Sequence, residues 1–308
     1  MRIHAISLYP LSELQKSRLG ELGELSYHDA VLGDPNVGEL CRGADVVLVT
    51  PRLAVDIVPY LDHCRLISVQ GTGTDAINLA AVREKGIAVT NVPDFCTDAV
   101  AEHAFALILA AAKRIEEGRP LLTAGAWNNA LAYTTIGLRA KTLGLFGCGR
   151  IGSRIAEIAS AFGMRALATV RDSSKSRGVE TVPFEKLLAE SDVIVLAAPA
   201  TAETTGIFDA GAFGRMKPGS ILVNVSRAAL IDDGAFLDAL DNGPLAAAGI
   251  DVFQPEPPAP DNPLLRHPRL VVSPHVAWGT SDAIQRLLDL SIQNVEDFLA
   301  GHPANLVN

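Results

Sequence analysis

No segment narrows the fold of this chain more than Gly147-Cys148-Gly149-Arg150-Ile151-Gly152. This GxGxxG follows the aliphatic run Thr142 to Phe146 and precedes the helix-forming stretch Ser153 to Phe162. In that setting Gly147 permits a tight turn and Gly149 lets a pyrophosphate reach the backbone. Gly152 lets helix and strand pack closely. The unpaired N–H groups of the helix start then face the phosphates. The motif predicts a parallel α/β unit that holds a dinucleotide.

The rest of the chain carries the same alternation of short aliphatic runs and helix-length segments. Strands are expected at Ile3–Leu8, Val46–Thr50, Leu66–Gln70 and Ala88–Asn91, with helices near Ser12–Leu22, Val55–Leu61 and Asn78–Lys85. A long helix follows, capped by Thr97 or Asp98, built on Val100 to Ile115 and stopped at Gly118. Residues Arg119 to Leu138 read as irregular. A second set of strands is expected at Thr142–Phe146, Ala166–Val170, Asp192–Ala197, Ile221–Ser226, Ala247–Val252 and Leu270–Ser273. These runs are continuously aliphatic, as in strands covered on both faces. Five prolines between Gln254 and Pro263 exclude regular structure there. The last helix runs from Asp282 to Leu299 and stops at Gly301. A domain boundary is placed near residues 95–100.

With 308 residues, 48% of them hydrophobic, there is material for two cores. The net charge of -9 repels phosphate backbones and anionic lipid, so nucleic acid and membranes are not expected as partners. An anionic substrate then needs a local cationic anchor. The N-terminal residues Met1 to Ser7 read as a strand and not as a signal peptide. Cys41, Cys64, Cys96 and Cys148 have neither metal-binding nor disulfide-framework spacing, which fits a cytoplasmic protein without a metal.

Cofactor choice is read at the end of the strand after the glycine motif. NAD-binding chains place an acid there to hold the ribose hydroxyls. Here the sequence is Val170-Arg171-Asp172-Ser173-Ser174-Lys175. Arg171, with nearby hydroxyls and Lys175, suits the extra phosphate of NADP. Asp172 keeps NAD open through a shift of register. NADP is the favoured reading.

Three further segments fall where strands of the second set end: Asn224-Val225-Ser226-Arg227, Asp251 to Pro257, and Ser273-Pro274-His275-Val276-Ala277-Trp278. Ligands of open α/β sheets bind at such ends. Arg227 can clasp a carboxylate by two parallel hydrogen bonds. His275 can transfer a proton near neutral pH, and Glu256 can orient its ring and favour its protonated form.

With these residues in view the chain resembles the D-isomer-specific 2-hydroxyacid dehydrogenase family, nearest to its glyoxylate/hydroxypyruvate reductase and glycerate dehydrogenase members. The resemblance also rests on Gly71 to Leu79, Gly86 to Pro93, Ala101-Glu102-His103 and Ala198 to Thr204. It implies Arg227, Glu256 and His275 as catalytic residues. It implies Asp251 on the nicotinamide carboxamide, Thr97 near the nicotinamide, Arg150 and Ile151 at the pyrophosphate, and Pro199 and Thr204 beside the adenosine half. Val225 belongs to the same cofactor-facing set. The backbone of Thr72 and Gly73 is expected to meet the substrate carboxylate, and Trp278 to wall the substrate pocket. Leu53 and Thr74 are further candidates for specificity. The implied architecture is two doubly wound parallel-sheet domains. A Rossmann cofactor domain, 97–279, is inserted in a flavodoxin-like substrate domain, 1–96 plus 280–308. Departures are the missing ribose acid, Ala228 after the catalytic Arg, and Ala76 in place of Asn.

The expected reaction is reduction of a small 2-keto acid by NAD(P)H, with hydride to C2 and a proton from His275. A homodimer through the cofactor domain is expected, with Trp127 and Tyr133 at the contact. The alternative is a dinucleotide-sensing, corepressor-like protein without turnover. An amino-acid dehydrogenase is a further rival, but it would need a catalytic Lys, and none is present in the three segments.

Overall fold

The computed structural model describes residues 1–308 except 32, 54, 128–133, 173 and 175. The chain forms two compact units, Met1–Cys96 with Thr280–Asn308, and Thr97–Gly279. The first begins with β1 (Arg2–Ser7), α1 (Glu13–Leu22), β2 (Glu24–Asp29), α2 (Val37–Cys41), β3 (Val46–Val49), β4 (Leu66–Val69), α3 (Leu79–Glu84) and β5 (Ala88–Thr90). The second contains α4 (Thr97–Lys113), α5 (Ile115–Thr123), β6 (Thr142–Phe146), α6 (Arg150–Ala161), β7 (Arg165–Thr169), β8 (Glu180–Thr181) and α7 (Phe184–Glu190). It continues with β9 (Val193–Leu196), α8 (Ala210–Phe213), β10 (Ser220–Asn224), α9 (Asp233–Asp241), β11 (Leu245–Ile250) and β12 (Leu270–Val272). The chain then returns to the first unit as α10 (Ser281–Leu299).

The first unit is a parallel sheet in the order β2-β1-β3-β4-β5. Alternate residues serve opposite faces. Val47, Val49, Ile67 and Val69 pack on one side with Val58, Leu61 and Val82. Val46, Leu48 and Leu66 pack on the other against Leu288, Ile292 and Val295 of α10. The Ser68 hydroxyl, buried under that helix, donates to the Ser291 carbonyl at 2.9 Å. Helix α1 starts where Ser12 and Gln15 form a reciprocal capping box.

Three expectations for this unit change. Strand β2, Glu-Leu-Ser-Tyr-His-Asp, was not foreseen, because an edge strand needs only one paired side and tolerates polar residues. Helix α2 was not foreseen either. The helix expected at Val55–Leu61 is a single 3-10 turn, Val58–Tyr60, with Pro59 in it.

The second unit is a seven-stranded parallel sheet, β12-β11-β10-β9-β6-β7-β8. Ile194, Leu196 and Leu222 face a core rich in phenylalanine, with Phe146, Phe208, Phe213 and Phe236. Val193, Val195, Ile221 and Val223 face the opposite core, built on α4 and α6. Gly249 matters to that second core: a Cβ there would lie 2.9 Å from the Leu107 Cβ, so the glycine lets α4 sit against β11. The strand order reverses between β9 and β6, and this switch point opens a crevice at the carboxyl ends.

The long helix does not continue to Gly118. It ends at Lys113, Arg114 takes a left-handed conformation (φ 53), and α5 begins at once with Gly118 and Pro120 inside it. Arg114 pairs with Glu117 through its Nε at 2.7 Å and its Nη2, which favours the break. Part of the stretch expected to be irregular is therefore helical. Tyr133 lies outside the described residues, and Trp127 is 80% exposed. No helix among the described residues is long and apolar enough to cross a membrane.

Candidate active site

The glycine turn is built as its spacing predicts. Gly147 follows β6 with φ 94, and a Cβ there would fall 2.7 Å from the Ala197 carbonyl oxygen. A Cβ on Gly152 would fall 2.5 Å from the Gly147 carbonyl oxygen, so the third glycine sets how closely α6 meets the turn. Gly149 is the N-cap of α6, and nothing lies within 4 Å of the place its Cβ would occupy. The first helical hydrogen bond runs from the Ser153 N–H to the Gly149 carbonyl. The N–H groups of Arg150, Ile151 and Gly152 precede it at the positive end of α6. Two glycines closed by backbone and one open to approach make a cradle that fits a pyrophosphate.

Around the cradle, β7 ends at Thr169, so Val170 and Arg171 begin the following loop. Arg171 is exposed; the Glu203 carboxyl is held below its ordinary range mainly by the Thr201 hydroxyl, then by a backbone N–H, with Arg171 contributing least. Asp172 accepts from the Ser174 N–H at 3.0 Å and the Ser174 hydroxyl at 2.7 Å, which makes it a turn residue. Ser173 and Lys175, invoked for NADP, lie outside the described residues. After β9, the Thr204 hydroxyl donates to the Pro199 carbonyl at 2.9 Å and accepts the Thr201 N–H at 2.8 Å, closing the 199–204 loop. Val225 is half-buried just beyond β10, and Thr97 is the first residue of α4.

The three catalytic candidates sit on three neighbouring strands. In the parallel register Asn224 pairs with Ile250, and Ile250 with Val272, so β10, β11 and β12 end level. Arg227, Glu256 and His275 lie on the loops leaving those ends, two strand spacings or about 10 Å across. The loop of Arg227 is fixed by Asn224, whose Nδ2 donates to the Arg227 carbonyl at 2.9 Å and whose Oδ1 accepts the Ser226 N–H at 3.0 Å. The Ser226 hydroxyl donates to the Ala198 carbonyl. One guanidinium nitrogen of Arg227 donates to the Ser226 carbonyl at 2.9 Å.

Glu256 and His275 meet directly, 2.6 Å from Oε2 to Nδ1. The other carboxylate oxygen accepts the Phe253 N–H at 3.1 Å, which holds Glu256 on its own loop. An ionised carboxylate only accepts, so His275 Nδ1 carries the hydrogen of this contact and Nε2 is the ring nitrogen turned away from Glu256. His275 has φ 56, a left-handed conformation that non-glycine residues adopt only where the surroundings hold them. Trp278 supplies one tie, its indole N–H donating to the His275 carbonyl at 3.2 Å. Trp278, expected as a pocket wall, braces the loop that carries His275.

Asp251 supplies more ties. It is 1% exposed, and its carboxylate accepts the Val276 N–H at 2.9 Å, the Ala277 N–H at 2.8 Å and the Ser273 hydroxyl at 2.6 Å. Burial alone would push this carboxyl up, but the His103 ring 3.5 Å away and these bonds outweigh it and hold it below the ordinary range. Both oxygens of Asp251 thus serve the loop beyond β12. The roles of Ser273, Asn224 and His103 were not foreseen; the signal for His103 was an imidazole set among the mostly apolar residues of α4. Thr72 and Gly73 lie in the first unit, at the carboxyl end of β4. There the Thr72 hydroxyl donates to the Val92 carbonyl at 2.8 Å, and Asn91 Nδ2 donates to the Thr72 carbonyl at 2.7 Å. Leu53 and Thr74 are half-buried in the same unit. No group of residues that could hold a metal ion occurs among the described residues.

Comparison with known proteins gives the family. Residues 105–277 match the model of the D-isomer specific 2-hydroxyacid dehydrogenase NAD-binding domain. A glyoxylate reductase of Aeropyrum pernix is 38% identical over 87% of this chain and 84% of its own length. A hydroxypyruvate reductase of Blautia hydrogenotrophica is 37% identical, with both chains covered in full. The chain spans about half the length, 51%, of another relative, a D-3-phosphoglycerate dehydrogenase of Archaeoglobus fulgidus to which it is 37% identical over 86% of its residues. Among solved structures, an acyclic imino acid reductase in complex with NADPH and D-Arg superposes with a TM-score of 0.91 at 26% identity, covering all of both chains. The chain therefore belongs to the D-isomer specific 2-hydroxyacid dehydrogenase family, as an oxidoreductase with a nicotinamide dinucleotide-binding domain.

Proposed function

We propose that this protein reduces a small 2-keto acid of the glyoxylate or hydroxypyruvate kind to the D-2-hydroxy acid, with His275 as proton donor and NADP as the favoured cofactor. The observation that carries the reading is the 2.6 Å contact of Glu256 with His275 Nδ1, which supports Nε2 as the nitrogen that transfers the proton. A reduced nicotinamide bound at the glycine cradle supplies the hydride equivalent. Arg227 binds the substrate carboxylate and draws electron density toward the keto oxygen. His275 Nε2 gives its proton to that oxygen as it becomes a hydroxyl. Glu256 keeps the ring oriented and offsets the positive charge the ring carries before transfer.

The NADP preference rests on Arg171 at the end of β7 and on Asp172 being occupied in its own turn. The choice of keto acid follows the names of the relatives. A homodimer through the 97–279 unit is part of the same reading. Ile115 and Leu122 of α5 and the nearby Trp127 are 64%, 57% and 80% exposed, a surface suited to a second copy. The four cysteines are free and buried, which suits a reducing compartment such as the cytoplasm.

The test is a panel of 2-keto acids assayed by loss of nicotinamide absorbance, with NADH and NADPH side by side. Turnover of a small keto acid, faster with NADPH, is expected. His275→Ala should cut kcat by about 100- to 10,000-fold, the usual span for general acid catalysis, while binding the cofactor normally. Undiminished turnover in that variant removes His275 from the role, and no turnover with any keto acid removes the reading as a whole.

A further inference from the structure

Helix α4 carries His103 among buried neighbours, with Ala101, Ala104, Phe105, Leu107 and Ile108 all in the core. Its ring is oriented toward the strand that bears the catalytic histidine. Nε2 lies 2.8 Å from the Ser273 hydroxyl and 3.5 Å from Asp251 Oδ1. We propose that His103 is a positioning residue: its Nε2–H fixes Ser273 on Asp251, and Asp251 fixes the backbone that presents His275. The proposal rests on the reading of His275 as proton donor.

Proton counting sets the direction of the chain. A serine hydroxyl has one proton, and Ser273 gives its proton to Asp251 at 2.6 Å. Toward His103 the serine can only accept, so Nε2 must carry hydrogen. The opposite tautomer would set a lone pair of the ring against a lone pair of the serine. The result is one directed relay, from the His103 N–H to the Ser273 hydroxyl to the Asp251 carboxylate. Such chains polarise their members and strengthen one another where water is excluded, and Asp251 is 1% exposed.

The far end of the relay is the catalytic loop. Asp251 accepts from Ser273 and from the N–H groups of Val276 and Ala277, two residues before and one and two residues after His275. One carboxylate therefore spans the loop on both sides of the residue that holds φ 56. His103 is the part of this network that comes from a different element. It ties the loop to α4, which packs along β11 and β12. Without it Ser273 is free to rotate, Asp251 loses its outer partner, and His275 loses part of what keeps it in a conformation it would otherwise leave.

The variants are His103→Ala, His103→Gln and His103→Asn. A glutamine amide nitrogen reaches about as far as Nε2; an asparagine stops short, near Nδ1. The first readout is backbone amide exchange. In His103→Ala the Val276 and Ala277 amides should exchange about tenfold faster, the loss of one charge-supported hydrogen bond. Amides of β9 and β10 should be unchanged. Asn should behave as Ala, and Gln should recover most of the protection. The second readout is the ring itself: nitrogen-15 spectra of the wild type should show His103 protonated at Nε2. The third is kinetics, in which kcat for a keto acid falls about tenfold in His103→Ala and is largely restored in Gln. Three results overturn the proposal: a ring protonated at Nδ1 alone, loop amides indifferent to the substitution, or faster exchange spread equally through the sheet. If the wild type turns over no keto acid, the functional reading fails, while exchange and nitrogen spectra still decide the role of His103.

Discussion

Two glycines that look alike in the sequence should respond differently to one added methyl group. At Gly149 the backbone (φ -77, ψ -155) is open to alanine, and the methyl meets nothing within 4 Å. A Gly→Ala change at such a place stabilises by about 0.4–1 kcal/mol through the unfolded chain. Alanine is the poorer N-cap and gives back a similar amount, so Gly149→Ala should leave stability within about 0.5 kcal/mol of wild type. The cofactor should notice. The methyl occupies the space through which a pyrophosphate approaches the backbone, and losing one charge-assisted hydrogen bond costs about 1.5–3 kcal/mol. That is a rise in Kd of about 10- to 150-fold. At Gly147 the same substitution acts on the fold. Its φ is 94, and the Cβ would sit 2.7 Å from the Ala197 carbonyl oxygen and 2.8 Å from the Ala198 nitrogen. Left-handed strain and overpacking together cost about 2–5 kcal/mol, or about 4–20 °C in the unfolding midpoint of a unit this size. Thermal unfolding with fluorescence titration of NADPH separates the two effects. A Gly149→Ala protein that binds NADPH within twofold of wild type, or unfolds as early as Gly147→Ala, refutes this account of the cradle.

Glu256→Gln keeps the shape of the partner of His275 but removes its charge; kcat should fall about tenfold or more with cofactor Kd unchanged, read from steady-state rates and titration. Arg171→Ala should raise the KM for NADPH about tenfold while changing that for NADH little; equal effects on both would exclude a phosphate contact. The Asp251 carboxyl is held low by its partners, so it contributes stability above its unfolded pKa that is lost as pH falls through the folded value. Asp251→Asn should therefore be clearly less stable than wild type at pH 7, with the gap closing below about pH 4, as measured by denaturant unfolding. Charging the exposed face of the 97–279 unit with Leu122→Asp and Trp127→Asp should yield monomers in light scattering, if a second copy covers it.

Much of this protein is decided locally. Continuous aliphatic runs such as Val193 to Leu196 can be stable only when both faces are covered, so a layered parallel sheet follows from their composition. The glycine spacing specifies a turn because only glycine can take φ 94 at 147 or leave the approach at 149 clear. Arg227, Glu256 and His275 could be singled out because each follows a strand, and strand ends are where such sheets bind ligands.

What the linear chain could not carry are matters of pairing. Strand β2 is polar and stands only because β1 offers it a hydrogen-bonding edge. The end of α4 at Lys113, before Gly118, coincides with a left-handed Arg114 whose guanidinium meets Glu117. The junction of His103, Ser273 and Asp251 joins residues up to 170 positions apart, and no local preference encodes a contact at that separation. Local sequence determined most of the segments that become strands, helices and turns, because those choices depend largely on neighbours along the chain. Tertiary packing alone decided which nitrogen of His275 faces a carboxylate, because a ring has two choices until a partner from another strand takes one of them.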